Sequence, residues 1–237
     1  LWRLPVDLEV VVPAFNEAER LPATLRAMLA FLAEQPWSSR VVVVDNGSVD
    51  DTAAIVGTFR GGPVDVVAVG CAQPGKGAAV RRGLLSSSSR FVGFTDADLS
   101  TPLDTLIPTM SMLRGGAAAV IASRHIPGAR FVDPQPLGRR VGGAVFRALI
   151  RPLVAGVADT QCGFKFFDRA AVQEALAGCR LTGFAFDVEL LRRIQDGGGQ
   201  IVELPVAWSD DGRSTFRPVR DGLASFAAVL QLRTEGI

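Results

Sequence analysis

The chain has 237 residues, 48% of them hydrophobic, with 25 Lys and Arg against 24 Asp and Glu and a formal net charge of +1. That length suits one α/β unit with a sizeable core, and the near-zero charge removes any global electrostatic case for nucleic acid. No run of about eighteen uncharged apolar residues occurs, so no stretch reads as a membrane span.

Short β-branched runs alternate with amphipathic stretches, the rhythm of an α/β fold with a mostly parallel sheet flanked by helices. The first strand is expected at Glu9 to Val12, running into the polar loop "PAFNE" (Pro13 to Glu17). Leu21, Leu25, Met28, Leu29 and Leu32 then share one helical face, with Asn16 and Glu19 as the capping pair. Val41 to Val44 forms the second strand and leads into "DNGS", where Ser48 and Asp51 read as a second cap.

Val64 to Val69 is the third strand, and the stretch after it, "GCAQPGKGAAVRRG" (Gly70 to Gly83), carries the Walker spacing of Gly70 with Gly75-Lys76. A phosphate-binding P-loop needs a Ser or Thr after the lysine to place a hydroxyl on Mg²⁺. Here that residue is Gly77, and the nucleoside triphosphatase reading fails.

The fourth strand, Phe91 to Thr95, precedes "DADLS", and Thr101-Pro102 with Asp104 reads as a third helix start. Asp96 and Asp98 are two apart, so in extended backbone both carboxylates face one way. Such a pair suits Mg²⁺ or Mn²⁺ shared with a diphosphate, because these ions take the rest of their ligands from phosphate and water. Strands are further expected at Val120 to Ser123 and Ile201 to Ala207, with "GGG" at Gly197 to Gly199 as a turn. Ligands of parallel sheets bind beyond the carboxyl ends of strands, which is where "PAFNE", "DNGS", "QPGKG" and "DADLS" all fall. Cys71, Cys162 and Cys179 have no metal-ligand spacing and read as small buried thiols of a reducing, cytoplasmic compartment. No signal-peptide pattern leads the chain, and a start at Leu1 rather than Met leaves a preceding anchor open.

Several of these motifs stand in one order: "VVPAFNEAERL", "VVVVDNGSVDDT", "GKGAAVRRGLLSS", "DADLSTP", then "DTQCGFKFF", "FAFDVELL" and "VAWSDDGRSTFRPVRD". In that order they resemble the family 2 glycosyltransferases of the GT-A fold, a Rossmann-like, mostly parallel sheet flanked by helices. The later motifs resemble the dolichyl-phosphate glucosyltransferases and their bacterial polyprenyl-phosphate relatives. The resemblance implies a single domain over residues 1–237, with a nucleotide-binding part to about 123 and an acceptor-binding part from about 124. It implies a UDP-sugar donor, a polyprenyl phosphate acceptor, Mg²⁺ or Mn²⁺ as cofactor, and inversion at the sugar. Pro13, Phe15 and Glu17 would line the nucleotide pocket, with Asp45 accepting a hydrogen bond from the uracil ring. Lys76 would lie beside the diphosphate, and Asp96, Ala97 and Asp98 would form the donor-side turn, with Asp98 the direct metal ligand and Asp96 near ribose and metal. Arg124 and Arg139 match arginines that bind the acceptor phosphate. The chain departs from its relatives at Asn46, commonly Asp, at Phe15, commonly Tyr, and at Thr215, commonly Lys, where Arg213 is a candidate substitute.

From Arg124 to Arg151 there are six Arg and one Asp, a local excess hidden by the total charge. Arg140, Arg147 and Arg151 fall on one helical face, with Val141, Val145, Leu149 and Ile150 elsewhere, a pattern that suits either a solvated face or an anionic membrane surface. A phosphate acceptor arrives ionised and needs cations to position it, whereas a hydroxyl acceptor needs a general base, for which Asp187 is the candidate. Glu189 reads as structural, His125 lacks neighbouring ligands for a metal, and Lys165 is a candidate phosphate contact among core phenylalanines. The apolar segment near Phe226 suits self-association or a membrane contact. Two other readings stand beside the lipid acceptor: a transferase for a soluble phosphorylated or hydroxyl acceptor, and a silent sugar-nucleotide-binding module.

Overall fold

The computed structural model describes residues 6–132, 137–209, 228, 229 and 232, with the side chains of 137–141 excepted. Arg213, Thr215 and Phe226 lie outside the described residues, as do the side chains of Arg139 and Arg140. The strands of the main sheet are β1 (Leu8–Ala14), β2 (Ser39–Asp45), β3 (Asp65–Gly70), β4 (Phe91–Thr95), β5 (Ala119–Ser123), β7 (Phe164–Asp168) and β8 (Ile201–Pro205), and a separate ribbon pairs β6 (Arg130–Phe131) with β9 (Ala207–Trp208). Helices among the described residues include α1 (Leu21–Ala33), α2 (Thr52–Gly57), α3 (Lys76–Ser86), α4 (Leu106–Arg114), α5 (Leu137–Ile150), α6 (Arg169–Gly178) and α7 (Phe186–Asp196).

The main sheet runs in the order β3-β2-β1-β4-β7-β5-β8, with every pairing parallel except those of β7, which is antiparallel to both β4 and β5. This is the expected mostly parallel sheet, and its continuous Val-rich strands reflect burial on both faces. One core holds Val11, Val44, Phe94, Ile121 and Phe167 against α3, α6 and α7; the other holds Val10, Val43, Phe91, Phe164 and Phe166 against α1 and α4.

The run expected as one strand from Ile201 to Ala207 divides after Pro205, and its end crosses to the small ribbon. The strand at β7 was not anticipated from the sequence, although Phe164, Phe166 and Phe167 are core as expected, each wholly buried. Because neighbouring residues alternate across a sheet, Lys165 shares the face of Phe167 and is turned towards α7.

None of the three expected helix caps forms. The residue ahead of α1 is Arg20, that ahead of α2 is Asp51 and that ahead of the short 3₁₀ turn at Leu103–Thr105 is Pro102, and none makes a side-chain cap bond. Asn16 and Ser48 bond instead to each other's loops: Asn16 N donates to Ser48 Oγ at 2.9 Å and Val49 N to Asn16 Oδ1 at 2.9 Å. Thr101 turns its hydroxyl to Cys162 Sγ. Among the described residues a side-chain cap does form at Asp168, which receives Ala170 N at 2.9 Å ahead of α6. All three cysteines are free; Cys162 and Cys179 are buried and Cys71 is half-buried.

Candidate active site at the carboxyl edge of the sheet

Four loops leave the carboxyl ends of β1 to β4 and are stitched together across strand boundaries. Glu17 N donates to Thr52 Oγ1 and Ala18 N to Asp50 Oδ2, joining the first loop to the second. Cys71 N donates to Asp45 O at 2.9 Å, joining the third to the second. Pro13 and Glu17 are half-buried here and Phe15 is exposed. The Glu17 carboxylate lies 3.1 Å from Arg20 Nη1. Asp45 turns Oδ1 to Ser48 N at 3.1 Å, which fixes its carboxylate at the loop's rim.

The acidic turn is held by backbone geometry rather than by a metal-like cluster. Leu99 N bonds back to Asp96 O at 3.2 Å, and Leu99 takes φ of +51°, a left-handed conformation that a branched side chain seldom adopts. Ala97 is buried and its carbonyl accepts from Thr24 Oγ1 of α1. Asp98 Oδ1 accepts from Ser100 N at 2.9 Å. Burial and then the charge of Asp96 push the Asp98 carboxyl above its ordinary range. Asp96 N bonds to Gly163 O, and a Cβ at Gly163 would displace the Asp96 carboxylate, so the glycine ahead of β7 leaves that side chain its place.

Lys76 is the first residue of α3, and its Nζ sits 2.6 Å from Asp96 Oδ1. Burial works against its charge, but Asp96, Asp187 and Asp98 outweigh that and hold its pKa above the ordinary lysine value. Gly77 explains itself in space: a Cβ there would stand 2.5 Å from Phe186 Cβ and 2.7 Å from Gly183 O. The place of the missing P-loop hydroxyl is filled by the segment that begins α7. That segment also caps α3, since Ala78 N donates to Thr182 O at 3.1 Å.

Asp187, on the first turn of α7, is buried and faces Lys165 Nζ at 3.4 Å. Burial pushes its carboxyl up, with Lys165 and Lys76 pulling against it. Lys165 is itself wholly buried, donates to Cys162 O at 2.5 Å and lies 5.2 Å from the centre of the Phe94 ring. Glu189, by contrast, is consumed by structure: it accepts from Arg180 N and Leu181 N and pairs with Arg193 at 3.2 Å.

A second cluster lies beyond β5. Arg124 grips Asp159 in a bidentate pair, Nε to Oδ2 at 2.7 Å and Nη2 to Oδ1 at 3.0 Å, with Trp208 at 5.3 Å from its guanidinium. Burial opposes the charge on each; the partner outweighs it, raising Arg124 and drawing Asp159 far below the usual carboxylate range. Glu203 of β8 holds the Asp159 backbone by accepting its N–H at 3.0 Å. Arg147 leans back over Gly143 and is half-buried, its pKa lowered by burial and by Arg124 and raised by Asp159. Asp159 and Arg124 are thus within its electrostatic reach, and Arg151 is exposed. His125 stacks at a tilt 5.8 Å from Phe131, and burial lowers its pKa.

The structure thus joins Asp96, Asp98, Lys76, Asp187 and Lys165 in one electrostatic cluster, and it brings Arg124 to Asp159, a partner the sequence does not signal. Arg139 falls on α5, with its side chain outside the described residues. Among the described residues no group of three or more His, Cys, Asp and Glu could hold a metal, and none of the helices is long and apolar enough to cross a membrane. Two carboxylates on one turn, one with its charge disfavoured by burial and then by the other, still fit a hard divalent cation whose remaining ligands come from a diphosphate and water.

The family described as Glycosyl transferase family 2 matches residues 9–176. A dolichyl-phosphate beta-glucosyltransferase of Trichomonas vaginalis is 32% identical over 221 residues, covering 87% of this chain and 65% of that relative. Those of Dictyostelium discoideum and Homo sapiens are 29% and 30% identical, covering 97% and 92% of this chain and 75% and 72% of their own lengths. Among solved structures, the glucosyl-3-phosphoglycerate synthase of Mycobacterium tuberculosis with Mn²⁺, UDP-glucose and phosphoglyceric acid superposes with a TM-score of 0.66 at 22% identity, covering 95% of this chain and 79% of that one. The same enzyme with Mg²⁺ and UDP gives 0.63 at 21% identity, with the same coverage of each chain. These likenesses identify the fold as GT-A.

Proposed function

The chain belongs to glycosyl transferase family 2, and from that membership we propose that it moves glucose from UDP-glucose to a polyprenyl phosphate of the dolichyl type, inverting the sugar and releasing UDP. The observation that carries this reading is the Lys76, Asp96 and Asp98 cluster at the carboxyl edge of a GT-A sheet, in a chain whose relatives are named for that transfer. A divalent cation held by Asp98 and Asp96 would neutralise the charge gathering on the leaving diphosphate. Lys76 supplies a second positive charge on the same side, released to the diphosphate when Asp96 is otherwise compensated. Pro13, Phe15, Glu17 and Asp45 line the rim where the nucleoside is placed, and Ala97 anchors the acidic turn on α1 through Thr24.

A phosphate acceptor needs positioning rather than deprotonation, and the cations beyond β5 serve it: Arg124, pre-oriented by Asp159, with Arg147 and Arg139 from α5. Asp187 then acts on Lys76 and Lys165 as an orienting carboxylate, and the base role belongs to it only with a hydroxyl acceptor. Val132 and Val145, 57% and 54% exposed, stand near exposed Arg130 and Arg151 in sequence, and this suits peripheral contact at the cytoplasmic face of an anionic membrane. The test is transfer of label from radiolabelled UDP-glucose to a short polyprenyl phosphate, with Mg²⁺ or Mn²⁺ present and absent. Metal-dependent label in the organic phase is the expected result. UDP release with a blank organic phase would move the acceptor to a soluble phosphorylated compound, and silence in both overturns the donor assignment.

A further inference from the structure

Asn46 stands immediately after β2, where its backbone N–H donates to Ala14 O at 2.9 Å. Its side chain reaches across to the loop beyond β3. Nδ2 donates to Gln73 O at 2.7 Å and to Cys71 O at 3.2 Å, and Oδ1 accepts from Gly75 N at 2.8 Å. Both amide hydrogens and one of the two oxygen lone pairs are used on one five-residue segment.

That segment decides where α3 begins. Gly75 precedes Lys76 with φ of +120°, and it gives the helix no side-chain cap. A Cβ at Gly75 would collide with the carbonyl of Thr182, so the turn cannot shift towards α7. Asn46 on one side and Thr182 on the other leave the first residue of α3 a single position, from which the Lys76 ammonium meets Asp96 at 2.6 Å.

We infer that Asn46 is the positioning residue for Lys76, acting through the loop 71–75, and that it takes no part in reading the nucleotide base, which falls to Asp45. This rests on the proposed donor site. The chemistry is specific to an amide. A carboxylate at this position keeps the bond from Gly75 N but sets an anionic acceptor against the Cys71 and Gln73 carbonyls, where two donors are required. The isosteric acid therefore opens the loop, although it keeps the number of heavy atoms and fills the same space.

The experiment measures Mn²⁺-dependent binding of UDP, GDP and ADP by calorimetry for the unsubstituted chain, Asn46→Asp, Lys76→Met and the double variant, alongside amide exchange at residues 71–77 in the unsubstituted chain, Asn46→Asp and Asn46→Ala. Asn46→Asp is expected to weaken binding about ten-fold, the worth of one to two hydrogen bonds. In the Lys76→Met background its effect is expected to fall below about two-fold, because the group it positions is gone. Equal loss in both backgrounds overturns the inference, as does an altered preference for UDP over other nucleoside diphosphates. Faster exchange of the Gly75 amide in Asn46→Ala is expected, and unchanged exchange overturns the clasp. If the unsubstituted chain binds no UDP with metal, the donor-site reading fails, while the exchange data still decide whether Asn46 holds the loop.

Discussion

Lys165→Met removes the ammonium of a lysine that has no access to solvent and whose partners are Asp187 Oδ2 at 3.4 Å and Cys162 O at 2.5 Å. Methionine fills much of the same space, so the loss is electrostatic rather than a cavity. Asp187 stays buried with only the field of Lys76 opposing its desolvation. Breaking a buried pair in this way costs about 3–5 kcal/mol. At roughly 2–4 °C per kcal/mol for a domain of this size, the melting temperature falls by roughly 6–20 °C at neutral pH. Replacing both partners, as Lys165→Met with Asp187→Leu, leaves no buried charge and is expected to recover most of that loss. The pH dependence has a definite sign. Burial holds the folded carboxyl of Asp187 above its ordinary 3.8, and losing Lys165 raises it further. The folded state then binds the proton more tightly than the unfolded chain, so this contribution is fully present below pH 3.8 and is lost as pH rises through the raised value. Urea melts at several pH values read it directly: the variant's deficit is small in acid and grows towards neutrality. A deficit that stays constant with pH, or a double variant no better than the single, would refute the assignment of Lys165 as the counter-charge of Asp187.

Gly77→Ser restores the residue that a P-loop requires, yet its Cβ would press on Phe186 and the Gly183 carbonyl; overpacking of this kind costs about 1–3 kcal/mol. A lowered melting temperature without any Mg²⁺-dependent binding of nucleoside triphosphate is expected, and an unchanged melting temperature would show that α7 does not occupy the space. Asp98→Asn is expected to abolish the metal enhancement of UDP binding while leaving the melting temperature unchanged or raised, since it removes a charge that burial and Asp96 disfavour. Retained metal enhancement removes Asp98 from the metal site.

Strand composition and the positions of the polar loops were legible because parallel strands buried on both faces are apolar throughout, and the loop that leaves each strand stands at the carboxyl edge. The helix caps were not. A Ser or Asn a few residues before an apolar face looks the same whether its side chain bonds to its own helix or to the neighbouring loop, and Asn16 and Ser48 took the neighbour. The inserted strand β7 was hidden for a related reason. A lysine inside "GFKFF" interrupts the apolar run, and its burial makes sense only beside Asp187, twenty-two positions later. Resemblance assigns Arg124 to the acceptor phosphate, but nothing in the motif "DTQCGFKFF" says that its first residue, 35 positions away, is the bidentate partner of Arg124. Sequence patterns report what a residue offers; which partner takes the offer is settled by strand order, and β7 between β4 and β5 is what brings these partners in.

The Walker spacing of Gly70 and Gly75-Lys76 shows the same distinction at the candidate site itself. In a P-loop the glycines open the backbone to a phosphate. Here Gly75 and Gly77 open it to another part of the protein, the segment around Thr182 and Phe186 that starts α7. The helix start is thereby packed against protein, and the lysine it carries faces carboxylates: Asp96 in contact, with Asp187 and Asp98 in electrostatic reach. With Lys165 included, three carboxylates meet two ammonium groups, and the cluster carries a surplus of negative charge when all are ionised. Such a site repels a bare diphosphate. It favours one only when a further cation compensates Asp96 and Asp98 and so frees Lys76 for the phosphate oxygens, which is the physical basis of the proposed metal requirement.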